Sequence, residues 1–238
     1  MEIGKKQRDP KKSLSRQVVD SIEEMIMERK LGPGDVLPTE IQISEELQVS
    51  KSSVREAIKM LEALGVVEIR RGLCTVISEN PEQGYMNVML SHFYLNSGNE
   101  EDLQNFRYII ESAYTTYAIR QATDNDLAAI REKLELFREK LRNGTLEAED
   151  DILFHGQILQ ATHNSFMIGL GNALNELFRR SIAIAIRDNP EVALHDHESI
   201  YQAIVNRDPD AAEKVIAASA RQWAASFKIQ DAVAESTL

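Results

Sequence analysis

The hydrophobic positions at the start of the chain follow a helical period. Leu14, Val18, Ile22 and Met25 are three or four residues apart, as on one face of an α-helix. Gly32-Pro33-Gly34 follows and is expected to stop this helix, because glycine and proline are helix breakers. The pattern predicts a first helix that begins at one of the two serines flanking residue 14.

Two further helices and a hairpin are predicted next. Thr39-Glu40-Ile41-Gln42 has the form of a capping box, which should start a short helix ending near Leu47. A third helix should begin at Ser50 or Ser52, with its apolar stripe running to Leu64. From residue 66 to residue 77 the period becomes that of two short strands around a turn. This order of elements is typical of a winged helix-turn-helix.

After residue 84 the hydrophobic pattern is helical throughout. Apolar residues recur at a period of 3.6 in segments separated by breakers such as Asn143-Gly144 and Asn189-Pro190. The segments are residues 85–96, 101–121, 124–142, 149–162, 165–188, 191–206 and 209–228. We predict a mainly α protein, with a winged helix-turn-helix over 1–78, a linker at 79–84 and an all-helical bundle of six or seven helices over 85–238.

Charge is distributed unevenly between these two regions. The net charge is −11, but residues 1–79 carry 13 Lys/Arg against 14 Asp/Glu, whereas residues 80–238 carry 14 against 24. Such asymmetry indicates separate roles for the two regions. The longest apolar run, Ile182 to Ile186, is far shorter than the roughly 20 residues of a membrane span, and Cys74 is the only cysteine. We therefore expect a cytoplasmic protein without an internal disulfide.

Hydrogen-bond donors cluster at the start of the predicted third helix. Lys51, Ser52, Ser53 and Arg55 are placed as in a recognition helix, where base edges and phosphates come close, and the helix dipole also favours phosphate. Arg55 is the candidate for reading a base, because arginine binds guanine through two hydrogen bonds. A pair between Arg55 and Glu56, or another helical neighbour, on a solvated face is the alternative.

The turn of the predicted hairpin is basic. A glycine-containing basic tip suits the minor groove or backbone of DNA, although an ordinary charged turn has the same composition. The residues predicted to contact DNA are Thr39, Lys51, Ser52, Ser53, Arg55, Arg70, Arg71 and Gly72.

Three stretches of the first region resemble the GntR family of bacterial transcription regulators. The resemblance runs over about residues 14–77. It implies operator DNA as the partner, held by the residues equivalent to Lys51, Arg55 and Gly72. The stretches read PGDVLPTE from residue 33, VSKSSVREAI from residue 49 and LEALGVV from residue 61.

The chain departs from the family pattern at two places. Ile41 stands where the family often has arginine after the Ser/Thr-Glu pair, which removes one expected DNA contact. Cys74 stands where the wing usually has a second glycine, which removes a position that would tolerate positive φ.

The second region contains an aspartate and two histidines that could hold a metal ion. Asp151 and His155 are four residues apart and therefore share one helix face. His197 lies on a later helix, and convergence of the three would make a site for zinc, nickel or manganese. A hydrogen-bonded Asp–His pair at the surface is the alternative.

This region resembles the FCD ligand-binding domain of FadR-type GntR regulators, over about residues 86–225. In metal-binding members an aspartate and three histidines hold the ion. Asp151, His155 and His197 fall on three of these positions and Ser219 on the fourth. Because serine is a poor zinc ligand, one coordination position would be left for water or an effector oxygen. The segments that show this resemblance are FRYIIE from residue 106, DILFH from residue 151, Asn164 nine residues after His155, and HESIYQAI from residue 197.

Arg107 falls on the position of the arginine that reaches the effector pocket in such domains. A guanidinium suits a carboxylate held by two hydrogen bonds, so the resemblance implies a small carboxylate effector. An ion pair between Arg107 and Glu111 on the helix surface is the alternative. The residues predicted at the effector site are Arg107, Glu111, Asn164 and Ser219.

Together these features predict a ligand-responsive transcription regulator of a metabolic operon rather than an enzyme. The chain contains no G-x-S-x-G and no H-E-x-x-H motif. Because one recognition helix reads only a few base pairs, we expect a homodimer on a pseudo-palindromic operator. Two alternatives stay open: a metal-independent sensor of an apolar or acyl ligand, and a helical metallohydrolase built on Asp151, His155 and His197.

Overall fold

The protein is described from a computed structural model, which defines residues 13–79, residues 84 and 88, and residues 100–224. The chain divides into two compact units, Met1–Met89 and Leu90–Leu238. Most of the predicted linker and of the predicted helical segment 85–96 lies outside the described residues. The predicted domain boundaries therefore stay predictions.

The first unit is a winged helix-turn-helix, as predicted. β1 and β2 form an antiparallel pair with Arg70 opposite Cys74 at the turn. The order of elements confirms the predicted helix, short helix, helix and hairpin. These elements are α1 (Leu14–Arg29), α2 (Glu40–Leu47), α3 (Lys51–Ala63), β1 (Val67–Arg70) and β2 (Cys74–Ile77).

The helices α1, α2 and α3 each start at a hydroxyl side chain that accepts a backbone hydrogen bond. Ser13 caps α1, Thr39 caps α2 and Ser50 caps α3. At α2 the predicted capping box is present: the N–H of Gln42 donates to Thr39 Oγ1 at 3.3 Å, and the N–H of Thr39 donates to Gln42 Oε1 at 2.9 Å. Such caps satisfy N–H groups that have no partner inside the helix.

The first helix ends before the Gly32-Pro33-Gly34 segment that was expected to stop it. α1 ends at Arg29, and Lys30 adopts a left-handed conformation with φ of 53°. The N–H of Lys30 then donates to the carbonyl of Met27, and that of Leu31 to the carbonyl of Ile26. These bonds satisfy the last carbonyls of the helix without a glycine at the cap.

The core of the first unit lies between α1 and α3. Val19 and Ile22 on α1 and Val54 and Leu61 on α3 are fully buried and belong to one apolar cluster. Because the apolar face of α3 is held in this core, Lys51 and Ser52 in its first turn are left exposed.

The second unit is all-helical in its described part, with seven helices. None of the described helices has the length and apolar character needed to cross a membrane. The helices are α4 (Glu100–Gln121), α5 (Asp124–Asn143), α6 (Ala148–Gln160), α7 (Ser165–Leu177), α8 (Arg179–Asp188), α9 (Pro190–Val205) and α10 (Pro209–Ala224).

The predicted helical segment 165–188 is two helices instead of one. The break falls at Phe178, whose φ and ψ of −92° and 1° leave the helical region. No glycine or proline marks this position. The ring of Phe178 is 2% exposed in an apolar cluster, and Arg179 is bound by Glu176 and Glu149. Tertiary packing therefore overrides the local helical period here.

Helix α6 lies at the centre of the second unit and packs against α4, α5, α7 and α8. Its apolar residues Phe154, Ile158 and Leu159 are fully buried. The same helix carries Asp151 and His155, which are 2% and 5% exposed. Two ionisable groups therefore lie in the interior, where they need partners.

Candidate functional site

The first turn of α3 presents fewer free donors than the sequence predicts. Lys51 and Ser52 are exposed, but Ser53 is 9% exposed. The hydroxyl of Ser53 lies 2.8 Å from Ser50 Oγ, and its N–H donates to the same oxygen at 3.2 Å. Ser53 therefore belongs to the cap of α3. The hydroxyl of Ser52 also lies 2.8 Å from Ser50 Oγ, but Ser52 is exposed, as is Lys51, so both can meet a ligand from solvent.

Arg55 is held by a carboxylate on α2 in place of its sequence neighbour. Its Nη2 donates to Glu40 Oε2 at 2.8 Å, and its Nε lies 3.2 Å from the same oxygen. Glu56, the partner that the sequence offers, accepts a hydrogen bond from Ser15 instead. The hydrogen bond and charge of Glu40 raise the pKa of Arg55. The Arg55 side chain is 62% exposed, so the pair holds it over the surface of α3 without enclosing it.

The hydroxyl of Thr39 is already occupied by the cap of α2. It donates to Gln42 Oε1 at 2.9 Å and accepts the N–H of Gln42. A DNA contact by Thr39, which remains a prediction, would have to share this oxygen.

The tip of the wing is exposed and turns tightly. Arg70 lies 3.4 Å from Glu68 and 3.9 Å from Glu79, whereas Arg71 is exposed at the turn. Gly72 has φ of 75°, which glycine adopts without strain. Cys74 lies in β2 and has no positive φ, so the glycine missing from the family pattern causes no backbone strain there.

The second unit contains a cavity of about 400 Å³ among its helices. Of the predicted effector residues, Arg107, Glu111 and Ser219 line it, together with the three predicted metal ligands. Asn164 does not: its Oδ1 accepts the N–H groups of Phe166 and Met167 and thereby caps α7. The structure brings together six of the predicted residues, and Asn164 acts elsewhere as a helix cap. The cavity's polar side chains include Arg107, Glu111, Asp151, His155, Asp196, His197 and Ser219.

Asp151, His155 and His197 converge in this cavity, each at most 5% exposed. His197 Nε2 lies 3.1 Å from Asp151 Oδ1, and His155 Nε2 lies 3.9 Å from Asp151 Oδ2. Asp151 and His155, which the four-residue spacing places on one helix face, therefore lie in the interior and do not form a surface pair.

The donor set fits a divalent cation. One ligand atom from each of Asp151, His155 and His197 lies within 4.8 Å of the other two, so small side-chain shifts would bring all three within the roughly 2.0–2.2 Å at which zinc binds nitrogen and oxygen ligands. Asp151 Oδ2 and His197 Nδ1 are buried without a hydrogen-bond partner in the described part of the chain. A buried carboxylate oxygen that lacks a donor is what a cation would satisfy.

The protonation states also suit a metal ligand set. Burial raises the pKa of Asp151, but the charge of His155 and the hydrogen bond of His197 outweigh it and lower that pKa to about 2. Burial lowers the pKa of His155, although the charges of Glu111 and Asp151 oppose this. An ionised carboxylate beside a neutral imidazole is the form that binds a metal ion.

Tyr114 orients His155 and was not singled out by the sequence analysis. Its hydroxyl lies 3.1 Å from His155 Nδ1, which leaves Nε2 facing Asp151. Partners on the second ring nitrogen commonly fix the orientation of ligand histidines. The spacing along α4 could have pointed to Tyr114. It follows Glu111 by three residues and Arg107 by seven, which places all three on one face of the helix.

Arg107 and Glu111 form a pair, but inside the cavity. Arg107 Nε lies 3.7 Å from Glu111 Oε2, and the two side chains are only 13% and 12% exposed. The guanidinium carbon of Arg107 lies 4.9 Å from the centre of the Phe178 ring. Arg107 therefore forms the ion pair with Glu111 that the sequence offered as the alternative, and it also lines the cavity.

Asp196 and Ser219 form a second polar group in the cavity. The carboxylate of Asp196 accepts a hydrogen bond from Ser219, and burial raises the pKa of Asp196. Ser219 therefore already has a partner on α9 at the position where the FCD pattern would have a histidine. Nothing in the sequence around Asp196 points to this contact, because only helix packing brings it to Ser219.

Comparison with known families gives two matches along the chain. The model described as "Bacterial regulatory proteins, gntR family" matches residues 14–77. The model described as "FCD domain" matches residues 102–221, about half of the chain. The two matches coincide with the winged helix-turn-helix and with the helical unit that contains the cavity.

Similar proteins include named repressors. The HTH-type transcriptional repressor NanR of Salmonella newport (strain SL254) is 29% identical over 224 residues, covering 87% of this chain and 82% of that protein. NanR of Salmonella typhi is also 29% identical, covering 87% of this chain and 81% of its own length. The solved structure titled Streptococcus agalactiae GntR has a TM-score of 0.65 and 24% identity, and covers 89% of this chain and 100% of that one. This last likeness concerns the fold.

Proposed function

The chain belongs to the GntR family of bacterial regulatory proteins and carries an FCD domain, and from this premise we propose that it is a ligand-responsive repressor of a metabolic operon. It is a DNA-binding transcription regulator and not an enzyme. The proposal of repression rests on the relatives named as transcriptional repressors. We place its action in the cytoplasm, where bacterial operators lie.

The cavity in the second unit is the observation that supports a response to a ligand. Arg107 and the Asp151–His155–His197 triad converge on it, whereas the exposed donors Lys51 and Ser52 belong to the first unit. Ionisable groups cost free energy in a protein interior unless they are paired. Such a group of them around a cavity is therefore a candidate ligand site.

DNA binding is proposed to use the N-terminal turn of α3 and the wing. Lys51 would contact phosphate, Arg55 would read a base, and the tip at Arg71 and Gly72 would meet the backbone or minor groove. Because one such unit reads few base pairs, we propose a homodimer on a pseudo-palindromic operator.

Asp151, His155 and His197 would hold one divalent ion, with zinc, nickel and manganese as the candidates. When bound, the ion would supply an open coordination position to an effector oxygen, since Ser219 is a poor ligand and already pairs with Asp196. Arg107 would orient a carboxylate of the effector through its guanidinium. Effector binding would release the operator only if the effector binds more tightly to a dimer whose DNA-binding units are arranged unfavourably for the operator. A ligand that binds both arrangements equally well shifts no equilibrium between them.

The charged lining of the cavity argues against an apolar or acyl ligand. Arg107, Glu111, Asp151 and Asp196 all face the space that such a ligand would occupy. An apolar ligand would remove water from these groups without replacing their hydrogen bonds.

The test is footprinting on the DNA that flanks the chain's own gene, with sedimentation of the free protein. We expect two symmetric protected half-sites about one helical turn apart and a dimeric protein. Small carboxylates that weaken the footprint of the wild type should not weaken that of Arg107→Ala. Absence of any protected site would contradict the proposed DNA binding. Full effector response from Arg107→Ala would contradict the proposed carboxylate contact.

A further inference from the structure

Asp196 is an acidic group of the effector cavity that the proposed function does not use. It lies on α9 next to His197, and its carboxylate accepts a hydrogen bond from Ser219 on α10. Both residues line the cavity and are partly exposed to it. A ligand that fills this space must therefore meet the Asp196–Ser219 pair.

The described ionisable side chains around the cavity are predominantly acidic. Arg107 contributes one positive charge and Glu111, Asp151 and Asp196 contribute three negative charges, so the balance is −2 when both histidines are neutral. A divalent ion on the triad would bring the balance to zero. A ligand that carried only a carboxylate would then add a negative charge to a cavity that already contains Asp196.

Binding of a ligand also removes water from Asp196. Its hydrogen bond comes from the single hydroxyl of Ser219, and the negative charge of Glu111 also acts on it. A carboxylate has about four acceptor sites, and a buried one is costly unless it is paired and hydrogen-bonded. The ligand therefore has to supply donors, and a positively charged donor makes the stronger hydrogen bond.

We propose that the effector is an amino acid or a similar aminocarboxylate, whose carboxylate faces Arg107 and whose ammonium group is bound by Asp196. This inference rests on the proposed function and narrows its ligand class. Ser219 completes the ammonium site by fixing the Asp196 carboxylate and offering its own oxygen as an acceptor. A cavity of about 400 Å³ lies near the lower end of small-molecule sites.

The experiment compares ligands that differ only in the proposed contact. The probes are the common amino acids and the 2-hydroxy acids with the same carbon skeletons, titrated calorimetrically into the full chain with and without added zinc. We expect at least one amino acid to bind and to do so at least about tenfold more tightly than its hydroxy acid, because a charged donor pairs better with a carboxylate. Asp196→Asn should remove most of that preference.

Glu191→Gln is the matched control, because it removes an acidic charge from the exposed first turn of the same helix. It should keep the preference of the wild type, and zinc content should be equal in all variants. Tighter binding of the hydroxy acids, an unchanged preference in Asp196→Asn, or no binding by any probe would overturn the inference. Operator binding by the free protein is measured separately, so its failure would count against the proposed function alone.

Discussion

Arg55 has two competing partners at the residue scale: the carboxylate of Glu40 in the free protein and a base edge in the proposed complex. The Arg55–Glu40 contact spans α2 and α3 and remains largely exposed. Exposed ion pairs are screened by water and contribute little to stability. Glu40 can therefore restrict the arginine side chain in advance without preventing it from reaching DNA.

Arg55→Ala is predicted to cost about 1–3 kcal/mol of specific operator binding and to relax the preference at one base per half-site. Lys51→Ala should weaken binding to all sequences alike and reduce the salt dependence by about one counterion per DNA-binding unit. Fluorescence anisotropy on operator and scrambled duplexes at several salt concentrations separates the two effects.

Lys59→Ala is the control for this prediction, because it removes the same charge from the exposed face of α3 farther from the N-terminus. Wild-type affinity and base preference in both the Arg55 and the Lys51 variants would show that α3 is not the reading helix.

At the scale of the element, Thr39 is both the N-terminal cap of helix α2 and a predicted DNA contact. Thr39 satisfies the first turn of α2 through its hydroxyl, and the predicted DNA contact would use the same atom. A loss of operator binding on mutation of Thr39 can therefore arise from loss of the helix cap alone.

Thr39→Ala is predicted to lower the free energy of unfolding of the first unit by about 1 kcal/mol, because the N–H of Gln42 loses its acceptor. Thr39→Ser keeps a hydroxyl on the β-carbon and should retain most of that stability. Urea denaturation of the three proteins, without DNA, measures the difference. Equal stability of the alanine variant and the wild type would mean that the capping box contributes nothing to α2.

At the scale of the whole molecule, the chain combines two units with separate cores. Among the described residues, those of the apolar cluster between α1 and α3 all belong to the first unit, and those that line the cavity all belong to the second. Changes in sites without shared partners are usually additive. Loss of the cavity's ligands should therefore remove the response to effector while leaving the DNA-binding surface intact.

His155→Ala is predicted to retain less than about a tenth of an equivalent of zinc, because the ion loses one of three protein ligands. Its affinity for operator DNA should stay within about 0.5 kcal/mol of the wild-type value. Elemental analysis after zinc loading and dialysis, together with anisotropy on the operator, checks both parts. Wild-type zinc content in the variant would exclude His155 as a ligand.

The sequence alone determined those features that depend on residues close together in the chain. Candidate capping hydroxyls at Ser13 or Ser15, at Thr39 and at Ser50 or Ser52 predicted the first three helices together with the helical period, because caps and periodicity are local. The four-residue spacing of Asp151 and His155 placed them on one helix face for the same reason. The sequence also offered His197, on a later helix, as the third member of the site, and the FCD resemblance added Ser219 at the fourth position.

Only the tertiary structure decided the contacts between elements. It paired Arg55 with Glu40 instead of Glu56, and it brought Asp196 to Ser219 across α9 and α10. It also divided the predicted segment at Phe178, whose ring is held in the core. These outcomes depend on how whole helices pack, and neither the period of a helix nor the spacing within it specifies which side chains of another helix it will meet.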